Sequence, residues 1–355
     1  MRPSVDSLPA ADQAVYLTAR RHAGRYEAVL IDARGQSLLT VPMPDRGHSF
    51  AIDAPRGRAV VFGRQPGFFA VAFDLAGRRP PLPLAAAEGR HFFGHGAYSA
   101  DGRRLYATEN DYDQGRAVLG VYDAESGRYA RLGEIDVGGV GSHEVILMQD
   151  QRTLCVANGG ILTHPDYGKL ELNPDSMAPS LAYIDAASGQ LIERVALDPG
   201  LNRLSIRHLA QAGDGAVWFG CQHVGPAHQR PPLVGRHRPG QPAELFEGRP
   251  GTTRALENYI GSVALEAGGR IVATSSPVGG RVVYWDAASG AELGQTELFD
   301  GCGVASAGAG TFLFSSGSGA MLRTAPQAAP QAVLAADTGL AWDNHLRRLP
   351  DSRAS

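Results

Sequence analysis

The sequence predicts an all-β fold, a single seven-bladed β-propeller. Glycine (45 residues) and proline (23 residues) are abundant among the 355 residues, as expected for many short strands joined by turns. A unit of strand, turn and strand recurs along the chain, and the two chain ends together complete one further copy. These observations predict one domain over residues 14–347, with tails at 1–13 and 348–355.

Six copies of the recurring unit begin at nearly regular intervals. A clear copy is HGAYSADGRRLYATEN from His95, in which two apolar segments flank a turn rich in Asp, Gly and Arg. The copies start at residues 48, 95, 143, 208, 262 and 303, so they are 41 to 65 residues apart. A spacing of roughly 40 to 50 residues with four strands is typical of propeller blades. The longest interval contains an insertion at about 160–179, between the second and third strands of the third blade.

The two ends of the chain predict how the ring closes. A seventh start falls at His345, in the segment GLAWDNHLRRL, which holds one strand before a polar tail. The N-terminal region holds three strands, at 14–20, 26–32 and 37–43, and lacks a first strand of its own. We therefore expect strand 340–346 to pair with the N-terminal strands 14–43 and to close the ring without open sheet edges.

Composition and motifs argue against several function classes. The 33 basic and 36 acidic side chains give a net charge of -3, so a nucleic-acid partner is not expected. No apolar stretch approaches the ~20 residues of a membrane helix, and residues 1–14 lack the features of a secretory signal, so we expect neither membrane insertion nor a signal peptide in this chain. No GxSxG, HExxH, P-loop or CxxCH motif occurs, and the 3 cysteines are far apart.

Five of the seven repeat starts are histidines, although the whole chain has only 11. The first strand of each propeller blade lines the central channel, so these side chains should converge at one mouth of that channel. Neutral imidazoles are common ligands of transition metals, which predicts a metal site or a site for a small anionic ligand. Mutual repulsion should also lower the imidazole pKa below the usual ~6.5. The alternative is that each histidine only bonds a neighbouring backbone group. The predicted metal ligands are His48, His95, His143, His208 and His345.

Further polar residues are predicted around the histidines, because the loop after the second strand of each blade opens on the same face. Glu109 and Asp111 could orient imidazoles, and Arg46 and Arg207 could neutralise an anionic ligand. The insertion, which carries His164, could fold over this face as a lid. Surface positions without a role are the alternative in each case. The predicted supporting residues are Arg46, Arg64, Glu109, Asn110, Asp111, Asn158, His164, Arg207, Gln222, His223 and Ser262.

Several segments resemble a bacterial family, the domain of unknown function 1513. The most specific match is the segment ANGGILTHPDYG, and FFGHGAYSADGRRLYATEN, GSHEVILMQD, LSIRHLA and WDNHL are also similar. The resemblance implies a quinoprotein-like or YVTN-like propeller that is exported to the periplasm through a twin-arginine signal. It also implies genes beside imelysin-type proteins and a di-haem oxidoreductase in iron-linked clusters. It implies no biochemical activity.

Together these observations predict a non-catalytic periplasmic propeller that handles iron or copper through its histidines. Its expected partners are a metal ion or a small anionic ligand, and other periplasmic iron-uptake proteins. Iron follows from the resemblance, because an all-imidazole site would suit Cu(II) at least as well. A protein-interaction scaffold is the first alternative. A metal-dependent oxidoreductase with an open coordination position is the second.

Overall fold

Seven four-stranded antiparallel sheets form the fold in a computed structural model that describes residues 14–168 and 170–350. The chain begins with β1 (Val15–His22), β2 (Arg25–Asp32) and β3 (Ser37–Met43). Blade one follows with β4 (Gly47–Asp53), β5 (Arg58–Gly63), β6 (Phe69–Asp74) and β7 (Leu82–Ala85). Blade two contains β8 (Arg90–Tyr98), β9 (Arg104–Asp111), β10 (Arg116–Asp123) and β11 (Arg131–Asp136). Blade three contains β12 (Ser142–Leu147), β13 (Thr153–Asn158), β14 (Ser180–Asp185) and β15 (Leu191–Ala196).

The remaining blades repeat this order. Blade four contains β16 (Leu204–Gln211), β17 (Val217–His223), β18 (Val234–His237) and β19 (Glu244–Phe246). Blade five contains β20 (Ser262–Leu265), β21 (Ile271–Ser276), β22 (Arg281–Asp286) and β23 (Glu292–Glu297). Blade six contains β24 (Gly301–Gly308), β25 (Thr311–Ser316), β26 (Met321–Thr324) and β27 (Gln331–Leu334), and β28 (Leu340–Arg348) ends the series. A short helix, α1 (Thr252–Ala255), precedes blade five.

The seventh blade joins the two ends of the chain. Its strand order is β28, β1, β2, β3, so the C-terminal strand is innermost and the three N-terminal strands lie outside it. The Thr18 hydroxyl donates a hydrogen bond of 2.8 Å to the His345 carbonyl across this pair. The predicted fold class and ring closure are therefore confirmed. Strand β28 continues beyond the expected residue 346, because Arg348 still pairs with Tyr16. Residues 1–13 and 351–355 of the predicted tails lie outside the described residues.

Apolar side chains between neighbouring blades form the core. Each inner or middle strand buries side chains on both faces, since a blade is covered by a neighbour on either side. Between blades four and five, for example, the Trp218 and Trp285 side chains are fully buried, and Phe246 stacks on Trp218 at 5.0 Å between ring centroids. This packing holds the innermost strands in a ring around the channel. No helix among residues 14–168 and 170–350 has the length and apolar character needed to cross a membrane.

Candidate metal centre

The structure brings the five predicted histidines together in one buried cluster, called here the five-histidine cluster. His48, His95, His143, His208 and His345 come from innermost strands of five different blades. The centroids of neighbouring imidazole rings are 4.7 to 5.9 Å apart. All five residues are buried, and the most exposed of them is 8% exposed. The cluster therefore fills the central channel at this level.

Two groups of three histidines have the geometry to hold a metal ion. In each group the candidate ligand atoms all lie within 4.8 Å of one another. His95 belongs to both groups, with His48 and His143 in one and His208 and His345 in the other. Zinc–imidazole bonds are about 2.0–2.1 Å, which puts two nitrogens on one ion roughly 3 to 4 Å apart. Nitrogens at the 4.8 Å limit would therefore have to move closer together to ligate one ion.

Most of these imidazoles have nitrogen atoms without a hydrogen bond. Within the described part of the chain, His48 Nδ1, His95 Nε2 and His143 Nδ1 are buried and have no partner. Both ring nitrogens of His345 are in the same situation among those residues. Buried polar atoms normally have a hydrogen-bond partner, so unpaired nitrogens on neighbouring imidazole rings are candidates to bind a ligand. The alternative of backbone-bonded, purely structural histidines does not account for these atoms.

β-Bulges direct the histidines into the channel. In β12 the unpaired bulge residue is His143, and Glu144 resumes the pairing with β13. In β16 the unpaired residue is Arg207, and His208 resumes the pairing with β17. Arg207 thus corresponds to His143, and His208 corresponds to Glu144. The two histidines are therefore not at equivalent positions of their strands, because a bulge shifts the side chains that follow it.

Two buried carboxylates that the sequence analysis did not single out contact the cluster. Glu144 lies with Oε1 3.6 Å from His95 Nδ1 and Oε2 3.4 Å from His208 Nδ1, and it forms an ion pair with Arg347. Asp343 lies 3.9 Å from His48 Nδ1 and forms an ion pair with Arg46. The signal for both was their position beside channel-lining histidines, in GSHEV and WDNHL.

These charges determine the protonation of the acids. Burial acts to raise the pKa of Glu144, but Arg347 and His208 outweigh it and hold the pKa below its ordinary value. The pKa of Asp343 is likewise lowered, because its contacts with His48 and Arg46 outweigh its burial. Both acids are therefore ionised at neutral pH and can orient imidazoles.

The imidazoles themselves are neutral at pH 7. Burial lowers the pKa of His48 to about 4, against the opposing effect of Asp343. Burial also lowers the pKa of His95, His143 and His345 well below the usual value, and neighbouring positive charges add to the effect. The pKa of His208 is lowered in the same way, although Glu144 partly compensates. The predicted direction is observed, with burial and not mutual repulsion as the larger cause. Neutral imidazoles are the form that binds metal.

The acids predicted to orient the imidazoles have other partners. Glu109 accepts hydrogen bonds from Tyr122 Oη and, at 2.9 Å, from Arg131 Nη2. Asp111 forms ion pairs with Arg90 and Arg116 at 2.8 and 2.9 Å. Within the described residues, the contacts of Glu109 and Asp111 include no histidine of the five-histidine cluster.

The reason is the length of β8. This strand starts at Arg90, five residues before His95, and Arg90 pairs with Asp111. Residues 109–111 therefore lie beside the start of β8 and away from the cluster. Asn110 shares this position, and its Nδ2 donates to His91 Nε2 at 3.2 Å and to the Thr163 carbonyl at 3.1 Å.

Other predicted supporting residues lie around the same end of the channel but form local contacts. Asn158 accepts a hydrogen bond of 2.6 Å from the Ser142 hydroxyl. Gln222 donates to the Ile260 carbonyl at 3.3 Å. His223 is a partly exposed end residue of β17, and Ser262 is the buried first residue of β20. None of these contacts includes a histidine of the cluster.

The predicted insertion leaves blade three between β13 and β14 as expected. Thr163 anchors it to the loops of other blades, because its hydroxyl accepts a hydrogen bond of 3.0 Å from Gln65 and its carbonyl accepts one from Asn110. His164 packs edge-on against Tyr112, with 5.1 Å between ring centroids. The insertion therefore lies against blades one and two, and His164 is outside the five-histidine cluster.

The three predicted arginines differ in their pairing. Arg46 is paired with Asp343. Arg64 and Arg207 form no side-chain hydrogen bond or ion pair with any residue in 14–168 or 170–350, and Arg207 Nε is enclosed. Both charges nevertheless act on the cluster: burial is the main cause of the lowered pKa of His48 and His143, and the positive charges of Arg64 and Arg207 add to it.

A cavity of about 340 Å³ leads to the cluster from the side where the innermost strands end. His95, Glu144 and Arg347 lie at its inner end, and Phe50 and Val145 belong to its apolar wall. The volume is near the lower limit of small-molecule sites. A small solute can therefore approach His95 along the channel axis.

Comparisons with known proteins agree with this architecture. The periplasmic gluconolactonase PpgL of Pseudomonas aeruginosa is similar over 95% of this chain and 99% of that chain, with 15% identity and a TM-score of 0.65. Hydrazine synthase of Kuenenia stuttgartiensis is similar over 86% of this chain and 91% of that chain, with 15% identity and a TM-score of 0.63. Virginiamycin B lyase of Staphylococcus aureus gives 12% identity and a TM-score of 0.57, over 81% and 84% of the two chains. At these identities the likeness concerns the fold alone.

The search of curated protein sequences gave no match. The sequence profile of one family does match, over residues 41–349. This range begins within β3, leaves out β1 and β2, and includes all five histidines of the cluster. The chain therefore belongs to the family described as protein of unknown function DUF1513.

Proposed function

We propose that this protein is a non-catalytic metal-handling propeller that binds a transition-metal ion in its five-histidine cluster. The observation that carries the proposal is the pair of three-histidine groups that share His95, with ligand atoms within 4.8 Å of one another and with buried nitrogens that lack partners among the described residues. Imidazole suits zinc, copper, iron and nickel, whereas calcium and magnesium prefer oxygen ligands.

The role in the cell is a further part of the proposal. We propose a periplasmic location, support of iron or copper acquisition, and contact with other periplasmic iron-uptake proteins. These statements rest on the family resemblance and on the imidazole ligands, and cell fractionation would test the location. The neutral imidazoles favour capture at neutral pH and release in acid, because protons compete for the same nitrogens.

Metal titration of protein without a histidine tag tests the binding proposal. Fe(II), Cu(II) and Zn(II) would be titrated separately by calorimetry, and bound metal would be counted by elemental analysis. His95→Ala removes the ligand that both groups share, so it should weaken metal binding by more than about 100-fold. Loss of a residue that only hydrogen-bonds to a metal ligand already costs about 10–100-fold in affinity. His48→Ala disrupts one group and leaves the other.

His228→Ala is the matched control, because His228 is exposed and lies in a loop outside the cluster. It should bind metal as the wild type does. Equal affinity of the wild type and His95→Ala would contradict the proposal. Unchanged affinity in His48→Ala would assign the ion to the group of His95, His208 and His345, and weakened affinity would assign it to the group that contains His48.

A metal-dependent oxidoreductase is the second candidate, and the cavity that reaches His95 favours it over a pure scaffold. An open coordination position on a bound ion would allow a small molecule to react there. Spectroscopy of the loaded protein, with and without small oxidants or reductants, separates a binding protein from an enzyme. Turnover that disappears in His95→Ala would favour the enzyme.

A further inference from the structure

Two of the four arginines around the five-histidine cluster form no ion pair within the described residues. The four are Arg46, Arg64, Arg207 and Arg347. Arg46 pairs with Asp343, and Arg347 pairs with Glu144. Arg64 and Arg207 have no such contact, although the charge of Glu171 acts on Arg207 from beyond ion-pair distance. Two guanidinium groups near the neutral imidazoles are therefore left without a carboxylate in contact.

Arg207 lies at a channel position of its strand and is partly exposed. It is the bulged residue of β16, at the position that His143 has in β12, and it directly precedes His208. Its Nε atom is buried and lacks a hydrogen-bond partner in the described chain. A buried N–H group without a partner is unfavourable, and an oxygen atom of an anion would satisfy it.

Arg64 lies at the same end of the channel. It follows β5, and its backbone N–H donates 2.9 Å to the Arg46 carbonyl, which fixes it beside the start of β4 and close to His48. The two arginines thus lie near members of the same three-histidine group, Arg64 near His48 and Arg207 near His143. The Ser205 hydroxyl, two residues before Arg207, is also buried without a partner among the described residues.

A metal ion would increase the positive charge here. Neutral imidazoles contribute no negative charge, so a divalent ion would add two positive charges close to the two guanidinium groups that have no ion pair. An anion bound with the ion removes this repulsion, and planar guanidinium groups match the oxygen atoms of an oxyanion.

We propose, on the basis of the proposed metal function, that the site takes its metal ion together with a small oxyanion that Arg64 and Arg207 hold beside the ion. Carbonate and a carboxylate chelator such as citrate share this chemistry. Carbonate would come from solution, whereas a chelator would arrive with the metal already bound.

The test is metal titration in bicarbonate-free buffer, repeated with added bicarbonate and with added citrate. A competing indicator of known affinity corrects for the metal that citrate binds in solution. Either anion should raise the metal affinity of the wild type by at least 10-fold. Enhancement by bicarbonate alone identifies carbonate, and enhancement by citrate alone identifies delivery as a chelate; both outcomes support the proposal.

The variants are Arg207→Gln and Arg64→Gln, with Arg103→Gln as the control because Arg103 is an exposed surface residue paired with Glu125. Each test variant should reduce the anion effect to less than 2-fold and bind metal without anion at least as well as the wild type. The control should keep the full effect. If Arg207→Gln does not fold, Arg64→Gln alone carries the test.

The outcomes separate the two proposals. Metal affinity in the wild type that is independent of every anion overturns this inference and leaves the metal function standing. An anion effect that persists in both arginine variants also overturns it. Absence of metal binding under all conditions refutes the metal function, and the inference falls with it.

Discussion

Acid should destabilise the metal-free protein through the five-histidine cluster. The folded pKa of His48 is about 4, against 6.5 for the free side chain. Because the unfolded chain binds more protons between these values, stability is fully present above pH 6.5 and falls as the pH drops toward 4. At 1.36 kcal/mol per pKa unit, the 2.5-unit difference gives roughly 3 kcal/mol for His48 by pH 4, and about 2 kcal/mol by pH 5.

The other members of the cluster act in the same direction. The pKa values of His95, His143 and His345 are also lowered well below the free value by burial. Their losses add to that of His48, so the metal-free protein should become steadily less stable as the pH falls from 6.5 to 5. The carboxylates Glu144 and Asp343 act at lower pH, since their pKa values are depressed below the ordinary acidic range.

Chemical denaturation of metal-free protein at pH 7.5, 6.5, 5.5 and 5.0 measures this loss. Histidines outside the cluster with lowered pKa values contribute a background; they are His91, His223 and His237. The decisive quantity is therefore the difference between the wild type and His95→Gln, which removes one titrating group. The variant should lose less stability between pH 7.5 and 5.0, whereas exposed His228→Gln should match the wild type. Equal pH slopes for the wild type and His95→Gln would refute the reasoning.

Three further predictions follow from particular contacts. Leu346→Ala, in the ring-closing strand at 1% exposure, should lower the free energy of unfolding by about 2–5 kcal/mol in chemical denaturation. Glu144→Gln leaves Arg347 without its charged partner and should lower the free energy of unfolding by about 3 kcal/mol. The same variant should bind metal more weakly in the metal titration described above. Added metal should raise the melting temperature measured by calorimetry at pH 7.5 and have little effect at pH 5, where protons occupy the ligand nitrogens; an equal rise at both pH values would contradict imidazole ligation.

The blade count and the ring closure were predictable because both depend on spacing. The strand units recur at intervals that leave a single strand at the C-terminus and three at the N-terminus. Pairing of the single strand with the three others completes a blade, and the structure has this pairing between β28 and β1. Convergence of the histidines follows from the same spacing, since corresponding positions of innermost strands meet at the channel axis.

The partners of the histidines were not predictable from spacing. The bulges in β12 and β16 place Arg207 where a histidine stands in the neighbouring blade, and no residue pattern reveals an extra unpaired residue. Glu144 reaches His95 and His208 across blade boundaries, so its role depends on how three blades pack. Length matters as well: the early start of β8 moves residues 109–111 away from the site that their loop position suggested.

The five-histidine cluster is a poor solution for stability alone, which is the physical argument for its function. A propeller channel can be filled by apolar side chains that need no partners, as the spaces between these blades are. Each enclosed nitrogen without a hydrogen bond instead costs about 1–3 kcal/mol, and His345 alone has two such atoms among the described residues. A bound cation would turn these unpaired nitrogens into ligands. A bound oxyanion would accept a hydrogen bond from the unpartnered Nε of Arg207. The same atoms that weaken the empty channel therefore define what it can bind.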